Sequence, residues 1–138
     1  MIVGPDTNVV LQMFGSTGRH RPLLVALLQG RLVWALSNAI LLEYEETVVA
    51  LSTQSRWEKL LATIHAVSAR FGTVHFIAPH FGYRLIHADP DDDKFVDCAL
   101  AAGADYLITN DGHFEPLRSA GYKTQPITPE EFIERFLA

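Results

Sequence analysis

Apolar positions alternate along the chain between short runs and helical stripes. MIV (1–3) is a brief run of strand length, and DTNVVLQMF (6–14) continues with helical character. PLLVALLQG (22–30) reads as a helix stopped by Gly30, and RLVWAL (31–36) as a buried strand. SNAILLEYEETVVALS (37–52) offers Ser37 or Asn38 as a cap, followed by a stripe of Ile40, Leu41, Tyr44, Val48 and Leu51. SRWEKLLATIHAVSARFG (55–72) is amphipathic: Trp57, Leu60, Leu61, Ile64 and Val67 share a face, and Gly72 closes it. TVHFI (73–77) is a strand. After an acidic turn come a helix, DDKFVDCALAAG (92–103), a strand, DYLIT (105–109), a short helix, GHFEPLRSAG (112–121), and an edge strand, KTQPI (123–127). In TPEEFIERFLA (128–138), Thr128 caps, Pro129 takes the first helical position and Glu131 completes a capping box.

Strands alternating with helices predict an α/β domain whose central, mainly parallel sheet is covered on both faces. The 138 residues show no repeat, low-complexity tract or linker, so one domain over 1–138 is expected. A single cysteine, Cys98, excludes an intrachain disulfide and a thiolate zinc site and fits a reducing cytoplasm. The opening MIVGPDTNVV lacks the pattern of a signal peptide, and no apolar run has the length of a membrane span. Net charge is −5, whereas a generic nucleic-acid binder is basic. A polyanionic partner would therefore have to meet a local basic patch or bound cations.

The acids carry the candidate chemistry. In open parallel sheets, ligands bind beyond the carboxyl ends of the strands. Asp6 ends the first strand, Asp111 lies just past DYLIT, Glu43 lies in the helix after RLVWAL, and Asp92 starts the helix that feeds DYLIT. The stretch ADPDDDKFVDCAL (88–100) holds five aspartates, which helical spacing sorts. Asp92, Phe95, Val96 and Ala99 fall at i, i+3, i+4 and i+7, placing Asp92 on the apolar stripe. Asp93 and Asp97 share another face that leans to solvent, and Asp89 and Asp91 flank a proline turn. Each acid taken singly also suits a solvated or capping role. Four together are costly unless a cation neutralises them, and an all-oxygen set favours Mg²⁺ or Mn²⁺. Asp92 is the first choice within the cluster, with Asp93 as the alternative ligand.

Other chemistries lack their anchors. Asp89, Asp91 and Asp93 mimic an EF-hand start, but Lys94 and Leu100 stand where Gly and Glu are required. A haloacid dehalogenase-like reading of DTNVV fails at Asn8, where a second aspartate is needed. No phosphate-binding glycine loop, GxSxG or HExxH occurs. The six histidines (20, 65, 75, 80, 87, 113) are expected at the surface or half-buried, with His113 a general acid/base candidate near Asp111. Arg19, His20 and Arg21 form the best basic cluster, suited to a phosphate or to a solvated helix start. Trp34 and Trp57 are read as core, and Cys98 as a small core residue.

These motifs together resemble the PIN-domain proteins, in particular the toxin components of toxin–antitoxin systems. PDTNVV resembles the family's first motif, with Asp6; SNAILLEYEETV the second, with Glu43; and DPDDDKFVDCALAAGADYLITND the third and fourth, with Asp92 and Asp111. The resemblance implies a three-layer α/β/α fold and Mg²⁺- or Mn²⁺-dependent hydrolysis of phosphodiester bonds, usually in RNA. It further implies a homodimer and an antitoxin that covers the site. Thr7, Asn8 and Thr109 match positions that support the acids. Pro5 departs from the pattern and is expected to reshape the end of the first strand. Alternatives of other classes are a non-catalytic binding module for nucleic acid or protein, and a metal-dependent phosphatase.

Overall fold

The computed structural model describes residues 1–86 and 89–138. Five parallel strands form its sheet: β1 (Ile2–Pro5), β2 (Val33–Ser37), β3 (Val74–Ile77), β4 (Tyr106–Ile108) and β5 (Gln125–Ile127), in the order β3-β2-β1-β4-β5. The connecting helices are α1 (Thr7–Phe14), α2 (Arg21–Leu28), α3 (Asn38–Leu51), α4 (Gln54–Phe71), α5 (Asp93–Ala102), α6 (Glu115–Arg118) and α7 (Pro129–Phe136). They flank the sheet in a three-layer α/β/α arrangement. Parallel strands need crossovers of this kind, and β2, β1 and β4 accordingly carry near-continuous buried apolar residues: Trp34, Ala35, Leu36, Val3, Leu107 and Ile108.

Local chemistry sets the helix ends. Asp6, Ser37, Thr53 and Thr128 cap α1, α3, α4 and α7 by accepting the N–H three residues on. Gly72 and Gly103 end α4 and α5 in left-handed geometry. Trp57, Leu60, Ile64 and Val67 face the core from α4, while Trp34 is almost wholly enclosed, so neither tryptophan offers a stacking surface. Leu51, placed by periodicity on the buried stripe of α3, is 75% exposed. It is the last residue of the helix, where the stripe has run past the core.

Pro5 does not reshape the strand end. β1 keeps its register with β4 through Pro5, opposite Ile108, and the Asp6 N–H donates to the Ile108 carbonyl at 3.0 Å. A proline cannot donate to a ladder and is tolerated at strand ends. The Pro5 carbonyl instead accepts the Tyr44 hydroxyl at 2.9 Å, tying α3 to β1 beside Asp6. The chain runs from β1 outward to β2 and β3, then returns to place β4 on the other side of β1. The switch of direction therefore lies between β1 and β4, the crevice where such sheets bind ligands. The Tyr44 ring is fully buried. Tyr44→Phe strands the Pro5 carbonyl and is expected to lower stability by about 1–3 kcal/mol, read from the urea midpoint.

Candidate functional site

Asp6 follows β1 directly and is 5% exposed. Its Oδ1 accepts the Val9 N–H at 3.0 Å, and its Oδ2 accepts the Thr109 hydroxyl from the end of β4. Thr109 Oγ1 in turn accepts the Asp111 N–H at 2.9 Å, so one hydroxyl joins two of the predicted acids. Thr7, the first residue of α1, donates its hydroxyl to Glu43 Oε2. Lys94 Nζ donates to Glu43 Oε1 at 2.9 Å. Asp92 precedes α5 at the end of a 3-10 turn (Pro90–Asp92) that Asp89 caps.

Asp6, Glu43, Asp92 and Asp111 line one small cavity of about 150 Å³, together with Thr7, Asn8, Thr47 and Phe95. An adjoining cavity of about 450 Å³ shares Asp6, Asn8 and Asp111 and adds Gln12 and Asn110. A further cavity of about 490 Å³ is a mainly apolar cleft between α1, α3 and α4 that holds none of these acids. Chemistry, not size, marks the candidate site.

Burial, with the charges of Asp111 and Glu43, pushes the Asp6 carboxyl above its usual range despite its two hydrogen bonds. Burial first, then the charges of Asp89 and Asp111, push Asp92 from the ordinary 3.8 to about 6. Among the described residues, Asp92 Oδ2 is buried without a hydrogen-bond partner. His113 Nδ1 approaches it at 3.5 Å, too long for a good hydrogen bond. A buried carboxylate oxygen left open toward a cavity of other carboxylates fits a bound cation.

Asp93 and Asp97 do not lean to solvent. Both are half-buried: Asp93 Oδ1 accepts the Ile86 N–H at 2.9 Å and Asp97 Oδ1 the Tyr83 N–H at 3.0 Å. They pin the segment after β3 onto α5, and Asp93 is not among the residues that line the cavity. Asp89 Oδ1 accepts the Asp91 N–H, the turn role expected of that pair. In the basic cluster at 19–21, Arg19 and Arg21 are exposed and His20 is buried. His20 is buried against Gln12 at 2.9 Å, and Arg19 lies 3.7 Å from Glu130. His87 lies outside the described residues. Burial pushes the Cys98 thiol up to about 12, leaving it inert at neutral pH.

Lys94 was missed by sequence reasoning. It sits among aspartates in DDDKF, and an isolated cation inside an acidic run is the one local signal for an ion pair there. Asp89 was assigned only to the turn. Yet Asp89, Asp92 and His113 are the ligand-type side chains that converge most closely among the described residues, with one atom from each within 4.8 Å of the others.

A family model for the PIN domain matches residues 5–113, from just before Asp6 to His113. The chain belongs to the PIN domain family. PIN domains are generally nucleases and usually use divalent metals. A chain in the crystal structure of VapBC2 from Rickettsia felis, bound to a DNA fragment from their promoter, is similar at a TM-score of 0.58 and 18% identity. The match covers 92% of this chain and 99% of that one, and at this identity it concerns the fold. No curated protein matches the sequence.

The raised carboxyls give stability a definite sign with pH. Below the ordinary 3.8 the Asp92 proton is held in both folded and unfolded chains; above about 6 it is held in neither. Between these values the folded chain keeps a proton that the unfolded chain has released, so the Asp92 contribution to metal-free stability falls as pH rises. Asp6 adds to the same trend. In chelator, Asp92→Asn is expected to flatten the slope of thermal midpoint against pH across this window. A slope identical to wild type refutes the shift.

Proposed function

We propose that the protein is a metal-dependent endoribonuclease acting as the toxin of a toxin–antitoxin pair. The observation that carries this reading is that Asp6, Glu43, Asp92 and Asp111 line one cavity. Membership of the PIN domain family supports hydrolysis of a phosphodiester. The likeness to a chain of the VapBC2 structure supports an antitoxin partner. In this reading the chain works as a single domain over 1–138, pairs as a homodimer and acts in the cytoplasm. Among the described residues no helix is long and apolar enough to cross a membrane.

The four acids would hold Mg²⁺ or Mn²⁺ directly or through water. Such a cation, when bound, supplies hydroxide at neutral pH and stabilises charge on a phosphoryl oxygen. Thr109 and the Val9 N–H fix the Asp6 carboxylate in one orientation. Thr7 and Lys94 hold the two oxygens of Glu43 from opposite sides. Asp93, whose Oδ1 is taken up by Ile86, holds the neighbouring loop rather than the cation. The amides of Asn8, Gln12 and Asn110 line the adjoining cavity, where they can donate to and accept from a nucleotide. Above pH 6 Asp92 is mostly ionised and ready to meet a cation.

Cleavage of mixed RNA with Mg²⁺ or Mn²⁺ tests the proposal. Asp6→Asn and Asp92→Asn are each expected to lower the rate about 100-fold or more. Asn caps a helix about as well as Asp, so loss of activity in Asp6→Asn reports charge rather than unfolding. Equal rates in all three proteins would sink the assignment. Hydrolysis of nitrophenyl phosphate without RNA cleavage would point to a phosphatase, and no metal-dependent heat on titration with Mn²⁺ to a binding module.

A further inference from the structure

The acids alone make an all-oxygen site, yet the closest convergence of ligand-type atoms includes a nitrogen. His113 Nδ1 lies 3.5 Å from Asp92 Oδ2 and 3.5 Å from Asp111 Oδ1. The ring is delivered by a short, defined turn (Gly112–Phe114), since Asp111 Oδ1 accepts the His113 N–H at 2.9 Å. Phe114, the next residue, is buried against Phe95 of α5, which locks the turn to the helix that Asp92 begins. Among the described residues Asp92 Oδ2, although buried, has no hydrogen-bond partner, and the His113 ring nitrogen lies 3.5 Å from it. With Nδ1 unprotonated, one cation placed between these two atoms would satisfy both.

We infer that His113 is a ligand of the bound cation, contributing Nδ1 beside the Asp92 carboxylate, with Asp89 at the rim. This rests on the metal-site reading above and sharpens its choice of ion. Mg²⁺ prefers hard oxygen ligands and gives up water reluctantly, whereas transition-metal ions accept imidazole readily. A nitrogen in the set therefore favours Mn²⁺ over Mg²⁺.

The test reads the ligand directly. Full-length protein freed of metal by chelator is loaded with Mn²⁺ and examined by electron spin-echo modulation, with Mn²⁺ and Mg²⁺ affinities measured by calorimetry. Wild type is expected to show ¹⁴N coupling to bound Mn²⁺. In His113→Ala the coupling disappears, the Mn²⁺ Kd rises about 10–100-fold and the Mg²⁺ Kd changes far less. His113 is an exposed residue, and an unchanged thermal midpoint of the metal-free variant confirms its fold. Bound Mn²⁺ without ¹⁴N coupling in wild type overturns the inference and leaves the carboxylate site standing. Coupling that persists in His113→Ala assigns the nitrogen elsewhere and overturns it too. Failure of Mn²⁺ to bind wild type overturns both readings.

Discussion

The Asp6 carboxylate is the constraint on which the rest is arranged. Its backbone N–H extends the pairing of β1 with β4, its Oδ1 starts α1, and its Oδ2 receives the hydroxyl at the end of β4. Moving this residue would disturb sheet, helix and cavity at once. The cost is a carboxylate taken out of water, visible as a carboxyl displaced upward by burial. Two hydrogen bonds offset part of that cost, and the rest marks the place where a positive charge is worth most.

Electrostatics resolve the conflict between an acidic chain and an anionic substrate. Net charge is −5, but the sum hides how the acids are used. Glu43 is already paired with Lys94, Asp93 and Asp97 are spent on backbone amides, and Asp89 on its own turn. The charge that lines the cavity is carried by Asp6, Asp92 and Asp111, with Glu43 shared between the cavity and Lys94. A divalent cation there would offset two of these three negative charges without altering the overall composition.

Much of this was legible before any coordinates. Caps at Ser37 and Thr128, the stripe of α4 and the alternation of strands and helices are local signals, each readable within a few residues. The separation of Asp92 from Asp93 was legible because Asp92, with helical backbone angles, stands one residue before α5, and a step of about 100° per residue turns neighbours apart. What escaped depends on distant partners. Asp93 and Asp97 looked solvated because the amides they hold, at Ile86 and Tyr83, belong to an irregular segment without periodicity. Lys94 escaped because its partner Glu43 lies on a helix remote in sequence. Pro5 looked disruptive because a sequence does not show that the next N–H, that of Asp6, keeps the ladder going.

The run from Asp89 to Asp97 works as a ruler. Along it, successive carboxylates face a turn, a cavity and a strap, with their identity fixed only by phase. Such a segment tolerates substitution of one acid more easily than a change of length. Losing a single residue between Pro90 and Asp93 would leave the composition nearly intact and pass the duties along by one place. The cavity would then inherit a residue meant for the loop, and the loop would lose its anchor. Drift in this stretch is thus policed by spacing more than by charge, and its acidic redundancy is only apparent.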